Sequence, residues 1–205
     1  MMSLPGEFYS IVDDIWPMLL IFVVVLSIIR ITYILDKGQR FVLYKEFFSL
    51  LGILYFLLLF GLVTNTDVQS ISNNYMPFRE ILRYEFGSKY FMWNVVGNIV
   101  MFIPFGFIVS LILKSQKVNK PLLLTFATSL TIELVQMFIG RSFDVDDILL
   151  NCLGGICGFL LYIGLSAIQR HLPSFLRRDL VYNILTLCLI AVIVISLFNW
   201  WGALI

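Results

Sequence analysis

Acidic and amide side chains interrupt stretches of this sequence that are otherwise apolar. Glu133 and Gln136 are three residues apart, and Asp144, Asp146 and Asp147 follow shortly after them. Paired carboxylates can act as a general acid and a general base, and carboxylate oxygens can also hold a divalent cation. The pattern therefore predicts Glu133, Asp147 and Asp144 as candidate catalytic residues.

Side chains that could bind a substrate lie on both sides of these carboxylates in the sequence. Arg79 carries a planar guanidinium suited to phosphate or carboxylate, and it lies within the long connection 65–90, in an amphipathic stretch that Pro77 opens. The alternative is that this stretch is only an interfacial helix on the bilayer. The predicted substrate-binding residues are Arg79, Asn94, Asn98, Gln136, Arg141 and Asn151.

The rest of the chain has the composition of a membrane protein. Of its 205 residues, 60% are hydrophobic and only 13% are charged, whereas about 25% are charged in an average soluble domain. This composition excludes an ordinary soluble enzyme, a secreted disulfide scaffold and a disordered chain. The net charge of +1, without basic blocks, argues against a nucleic-acid partner.

Six apolar segments are each long enough to cross the bilayer as a helix, which takes about 20 residues. We therefore expect an all-α polytopic membrane protein with an outward-facing polar pocket. Ten Lys and Arg residues flank one set of helix ends and four flank the other, so we expect the first set to be cytoplasmic and both termini extracytoplasmic. The spans are predicted at about 16–35, 47–63, 91–113, 122–140, 145–167 and 182–204.

Counting along three of these helices brings their polar residues to a similar depth. The third span enters the bilayer from the outside, the fourth returns and the fifth enters again, so Asn98, Glu133 and Asp147 are all expected in the outer half. A charge at the bilayer centre costs roughly 2.5–3.5 kcal/mol on insertion scales. Such residues therefore mark a function or a specific packing contact.

Most of these polar residues also have a purely structural explanation. Asp144 could cap the fifth span, with Asp146 in its first turn, and the asparagines could join helices by hydrogen bonds. Gly154 and Gly158, four residues apart, predict close helix packing. Glu133 fits such explanations least well, and Arg141 is its nearest candidate partner in the sequence.

The same residues resemble a known family of bacterial membrane proteins. The run NVVGNIVMFIPFGF, which begins at Asn94, is followed by TIELVQMFIGR and then by RSFDVDDILLNCLGGICG, and NYMPFREI lies upstream. Together these motifs resemble the VanZ-like family over about residues 75–168. We therefore divide the chain into 1–74, with two spans and the start of the loop; 75–168, the VanZ-like core; and 169–205, with a cytoplasmic loop and the last span.

This resemblance implies a multi-pass protein of the bacterial cytoplasmic membrane with a cell-envelope role. The founding member of the family is associated with low-level teicoplanin resistance, so the resemblance implies lowered susceptibility to this glycopeptide. It implies no particular reaction, and no oligomeric state is predicted.

Three mechanisms are compatible with these residues. The first is hydrolase or glycosidase-like acid/base chemistry by Glu and Asp carboxylates on a lipid-linked envelope glycan. The second is binding of a lipid head group or glycopeptide without chemistry, and the third is proton-coupled transport. The expected partners are the lipid bilayer and the glycan or glycopeptide. No cofactor is expected, although a divalent cation at Asp144, Asp146 and Asp147 is an alternative.

Overall fold

The computed structural model describes residues 4–64 and 73–202. These residues are helical apart from their connections and one isolated bridge between Asn74 and Asp144, which confirms the all-α prediction. The helices are α1 (Leu4–Asp36), α2 (Leu43–Thr64), α3 (Arg79–Arg83), α4 (Lys89–Phe91), α5 (Gly97–Leu113), α6 (Asn119–Phe138), α7 (Val145–His171) and α8 (Asp179–Gly202), with a π-helical turn at Met92–Val96 that joins α4 to α5.

Six of these helical segments are long and apolar enough to cross a membrane, as the sequence predicts. They are Trp16–Asp36, Leu43–Gly61, Lys89–Leu113, Asn119–Phe138, Val145–His171 and Asp179–Ser196. The predicted end of the sixth span at Leu204 lies outside the described residues, and so do positions 65–72 of the long connection.

The described residues form two compact units. The first unit comprises residues 4–16, 55–64 and 73–167, and the second comprises 17–54 and 168–202. In the first unit, Leu59 of α2 packs with Phe102 and Phe105 of α5 to form a buried apolar core. The hydroxyl of Tyr55 donates a hydrogen bond to the carbonyl oxygen of Met101 at 2.8 Å, which ties the same two helices together.

Helices α5 and α7 of the first unit are in backbone contact. A Cβ atom added at Gly154 would overlap the carbonyl oxygen of Ile99, and one added at Gly158 would overlap that of Ile103. Only glycine permits this separation, because any larger residue would push the helices apart. The predicted close packing of the glycine pair is therefore confirmed.

Helix α7 also packs closely on α6. A Cβ at Gly155 would overlap the side chain of Thr125, and the Asn151 Nδ2 atom donates a hydrogen bond to Ser129 Oγ at 2.9 Å. Helix α7 therefore contacts α5 on one face and α6 on another, and its first turn lies where polar residues of both helices can reach it.

The second unit is joined by polar contacts near helix ends. The Arg30 guanidinium of α1 donates two hydrogen bonds to Glu46 of α2, from Nε to Oε2 at 2.7 Å and from Nη2 to Oε1 at 3.0 Å. The Tyr44 amide donates to Asn183 Oδ1 at 3.1 Å, and its hydroxyl donates to Asp179 Oδ1, also at 3.1 Å. Both bonds link the start of α2 to α8.

Candidate functional site

The connection between α6 and α7 is hydrogen-bonded to the segment that precedes α3. The Asn74 amide donates to the Phe143 carbonyl at 2.8 Å, and the Val145 amide donates to the Asn74 carbonyl at 3.1 Å. The Asn74 side chain adds a bond from Nδ2 to Asp144 Oδ1 at 2.9 Å. These contacts fix the backbone on which Asp144 and the start of α7 are presented.

Asp144 and Asp146 both cap helices, but not the same helix. The Asp146 amide donates to Asp144 Oδ1 at 2.8 Å, so Asp144 caps the N-terminus of α7, as its structural explanation predicts. The Asp146 side chain is only 1% exposed and accepts backbone hydrogen bonds from Phe78 at 2.5 Å, Glu80 at 2.7 Å and Ile81 at 3.3 Å. Its carboxylate therefore caps α3 and holds that loop against α7.

Glu133 is buried at 2% exposure, and both of its carboxylate oxygens accept hydrogen bonds. Oε2 accepts from the backbone amide of Asp144 at 2.8 Å. With the amide nitrogen of Gln136 turned toward it, Oε1 accepts from Nε2 at 3.0 Å, and Gln136 Oε1 accepts from Arg141 Nη1 at 2.8 Å. Arg141, the partner expected from the sequence, thus reaches Glu133 through Gln136.

Asp147 of α7 connects α5, which belongs to the third predicted span, to these polar residues. Asn98 of α5 donates from Nδ2 to Asp147 Oδ1 at 2.5 Å. The Asp147 carboxylate also interacts electrostatically with Glu133, Asp144 and Arg141. Polar residues of α5, α6 and α7 therefore meet at one end of these helices. We name Asn98, Glu133, Gln136, Arg141, Asp144 and Asp147 the carboxylate cluster.

The three carboxylates of the cluster differ in their burial and in their hydrogen-bond donors. Both oxygens of Glu133 accept hydrogen bonds. Asp144 and Asp147 are only partly buried, and each uses Oδ1 as its acceptor. These two side chains are therefore oriented through Oδ1.

The electrostatics of the connecting segments follow from partial burial. Burial raises the pKa of Asp144, although the bonds from the Asp146 amide and the Asn74 side chain act in the opposite direction. Burial lowers the pKa of Arg141, and the carboxylates of Glu133 and Asp147 oppose that shift.

The structure does not bring Arg79 and Asn94 into the carboxylate cluster. Arg79 begins α3, but its side chain is exposed and makes no hydrogen bond or ion pair with another described residue. Asn94 is also exposed, and its Nδ2 donates to the carbonyl of Tyr90 in its own helical segment at 2.9 Å. Asn94 and Asn98 are four residues apart, a spacing that would place both on one face of a regular α-helix, but the π-helical turn at Met92–Val96 changes the helical register between them.

Asn151 lies one turn farther along α7 than Asp147. It is 2% exposed and bonds to Ser129, while its Oδ1 is buried and has no partner among the described side chains. Ser129 lies four residues before Glu133 on the same face of α6, a spacing that could have identified it from the sequence. Asn151 therefore extends the polar face of α7 beyond the cluster.

Two residues near the site are absent from the sequence prediction. Asn74 holds Asp144 directly, yet no local periodicity marks it. Tyr84 is half-buried, and burial raises its pKa, with Glu80 adding to the shift and Asp147 and Asp144 contributing less. The pKa of its phenol is therefore affected by the charges of both aspartates.

The alternative of a divalent cation requires several ligands directed at one point. Asp146 faces the amides of α3, whereas Asp144 and Asp147 accept from Asn74 and Asn98. Over the described parts of the chain, no group of three or more His, Cys, Asp or Glu side chains is arranged to hold a metal ion. A bound cation at Asp144, Asp146 and Asp147 stays a prediction.

The six spans define a multi-pass membrane protein whose buried polar residues are concentrated on α6 and α7. The chain belongs to the VanZ/LLP1 family, whose family model matches residues 47–169. Protein VanZ of Enterococcus faecium is 30% identical to it over 100 residues, which are 48% of this chain and 62% of that protein. The chain therefore spans less than two thirds of this relative. No solved structure matches it.

Proposed function

We propose that this protein acts on a lipid-linked envelope glycan at the bacterial cytoplasmic membrane and thereby lowers susceptibility to teicoplanin. The observation that carries the proposal is the pair Asp144 and Asp147, two partly buried carboxylates that asparagine side chains orient in the same cluster as Glu133. Membership of the VanZ/LLP1 family and similarity to Protein VanZ support the envelope role. The excess of Lys and Arg at the opposite helix ends supports an extracytoplasmic location of the cluster.

The proposed reaction is hydrolysis of a glycosidic bond. Asp147 removes a proton from water, the water oxygen bonds to the anomeric carbon as the bond to the leaving oxygen breaks, and Asp144 gives that oxygen a proton. Glu133 positions Asp144 by accepting a hydrogen bond from its backbone amide.

Arg79 has the chemistry to hold a phosphate of the lipid carrier. Its guanidinium is exposed and makes no ion pair within the described residues, and Asp146 fixes the backbone at the start of α3. A planar guanidinium binds phosphate through two parallel hydrogen bonds. Arg79 is therefore assigned to substrate binding and not to the chemical step.

A second candidate function is binding of a lipid head group or glycopeptide without chemistry. It is favoured by the engagement of both Glu133 oxygens, which builds this carboxyl into the structure and leaves it poorly placed to exchange a proton. In that case, binding would depend on Arg79 and the amides of the cluster, and the two aspartates would only orient them.

Complementation of a deletion strain tests the two functions against each other. The strain would express the wild type, Asp144→Asn, Asp147→Asn, Arg79→Ala or the control Asn94→Ala at equal membrane levels. Teicoplanin susceptibility and the pool of lipid-linked envelope intermediates would be measured. Asn94→Ala should behave as the wild type, because Asn94 lies outside the cluster.

The enzyme proposal expects both isosteric aspartate variants to lose protection and a lipid-linked species to accumulate. Protection that survives both Asp→Asn changes but fails in Arg79→Ala would support binding without chemistry. If none of the variants changes susceptibility or the lipid pool, neither function belongs to this cluster.

A further inference from the structure

Two cavities adjoin in the second unit, in the part formed by α1, the start of α2 and the start of α8. One has a volume of about 510 Å³ and is mostly apolar, with Leu26, Ile29 and Ile53 among its lining residues. The other has a volume of about 580 Å³ and a mostly polar lining. Arg30 and Glu46 contribute to both walls, so the two volumes share one boundary.

The polar cavity carries an excess of positive charge. Its lining includes Arg30, Arg40 and Lys45 against the carboxylates of Glu46 and Asp179. Arg30 is neutralised by the two-point pair with Glu46, and Lys45 Nζ lies 4.0 Å from Asp179 Oδ1. Arg40 makes no ion pair with any described residue, so its guanidinium is available to an anion.

The two cavities are arranged as the parts of a lipid are, with a polar region next to an apolar region. The polar cavity lies at the connection between the spans that end at Asp36 and begin at Leu43. Arg30 lies six residues before the end of the first span, which at 1.5 Å per residue is about 9 Å inside it. The apolar cavity extends farther along the spans, to Leu26 and Ile53.

We propose that these cavities bind one phospholipid with an anionic head group. The phosphate would pair with Arg40 and Lys45 in the polar cavity, and an acyl chain would fill the apolar cavity between α1 and α2. Basic pockets between membrane helices bind anionic head groups in this way, and both volumes fall within the usual range of ligand pockets, about 300–1,000 Å³. This site is separate from the carboxylate cluster and does not depend on the proposed function.

Native mass spectrometry of the full-length protein released from detergent tests the proposal. Phosphatidylglycerol and zwitterionic phosphatidylcholine with the same chains would be added at equal concentrations. The variant Arg40→Gln removes the available guanidinium. The matched control Lys37→Gln removes the same charge from the same connection at a residue that lines neither cavity.

The site predicts that phosphatidylglycerol binds more strongly than phosphatidylcholine and that Arg40→Gln weakens its binding about fivefold. Lys37→Gln should bind as the wild type does, and soluble glycerol phosphate should not displace the lipid. Equal binding of the two lipids, or equal loss in the two variants, would overturn the proposal. Displacement by glycerol phosphate would also overturn it, because the cavity would then bind a free phosphate and not a lipid.

Discussion

The two units of the molecule differ in the burial of their charged and amide side chains. In the first unit, Glu133, Asp146 and Asn151 are at most 2% exposed, and each is bonded to a residue from another element. In the second unit, the side chains of Arg30 and Asp179 are 50% and 57% exposed. Buried polar groups must find partners within the protein, whereas exposed ones can be satisfied by head groups and water.

The spans of the two units differ in the same direction. In the first unit, 44% of the most apolar window of Val145–His171 is buried, against 6% for Trp16–Asp36 and for Asp179–Ser196. The family model covers residues 47–169, nearly the range of the first unit. The sequence shared with the family is therefore the part with the more buried spans, and substitutions should be most harmful there.

The largest effect is expected at the contact between α5 and α7. Gly158→Ala would force its Cβ into the backbone of α5, and separating the helices should reduce the free energy of unfolding by about 3 kcal/mol. Gly164→Ala is the matched control on the same helix, because a Cβ there meets nothing within 4 Å. Unfolding in detergent would be measured for both variants. Equal stability of the two would show that the helices of the first unit are not in such close contact.

The next largest effect is expected when the hydrogen bonds between Asp146 and the α3 loop are removed. Asp146→Ala would leave the amides of Phe78, Glu80 and Ile81 without their acceptor, at a cost of about 2 kcal/mol. Hydrogen exchange of these amides should become faster, and Glu85→Ala, in the exposed part of the same loop, should leave it unchanged. Unchanged exchange in Asp146→Ala would mean that the loop is held by its other contacts.

The sequence predicts most of what depends on local pattern. The spans follow from apolar runs of sufficient length, and the glycine contact follows from spacing along one helix face. Counting residues along the spans also predicts that Asn98, Glu133 and Asp147 meet, because depth in a bilayer limits where a polar residue on a spanning helix can lie.

What the sequence does not reveal depends on backbone geometry and on distant partners. One π-helical turn is enough to place Asn94 and Asn98 on different faces of the helix, and no residue pattern predicts this turn. From its position in the first turn of α7, Asp146 is expected to stabilise the start of its own helix. Its carboxylate instead accepts hydrogen bonds from backbone amides more than 60 residues earlier in the chain. Asn74 escapes prediction for the same reason, since its bond to Asp144 joins two loops.

A smaller effect is expected in the second unit. Tyr44→Phe removes the hydroxyl that donates to Asp179 at 3.1 Å in an exposed setting, so the loss should be about 0.5–1 kcal/mol. Tyr33→Phe is the control, because its hydroxyl bonds to no described residue. Unfolding in detergent would again be measured. A loss as large as that of Asp146→Ala would remove the distinction between the two units.

The smallest effect concerns pH and a half-buried carboxylate of the first unit. Burial raises the pKa of Asp144 above its usual 3.8 in the folded protein, so the folded state prefers the protonated form. The contribution of the Asp144 carboxyl to the free energy of unfolding is therefore present at low pH and is lost as pH rises through its folded-state pKa. Asp144→Asn keeps an acceptor for Asn74 and does not titrate, so it escapes that loss.

The difference in melting temperature between Asp144→Asn and the wild type should therefore increase from pH 4 toward neutral pH, by no more than a few degrees. Comparing the two proteins cancels the titration of the other carboxylates. Ser142→Ala changes a residue of the same connection whose side chain does not titrate. Its melting temperature should differ from that of the wild type by the same amount at every pH. A constant difference for Asp144→Asn as well would mean that solvent reaches Asp144 as freely as it reaches the exposed carboxylates of the second unit.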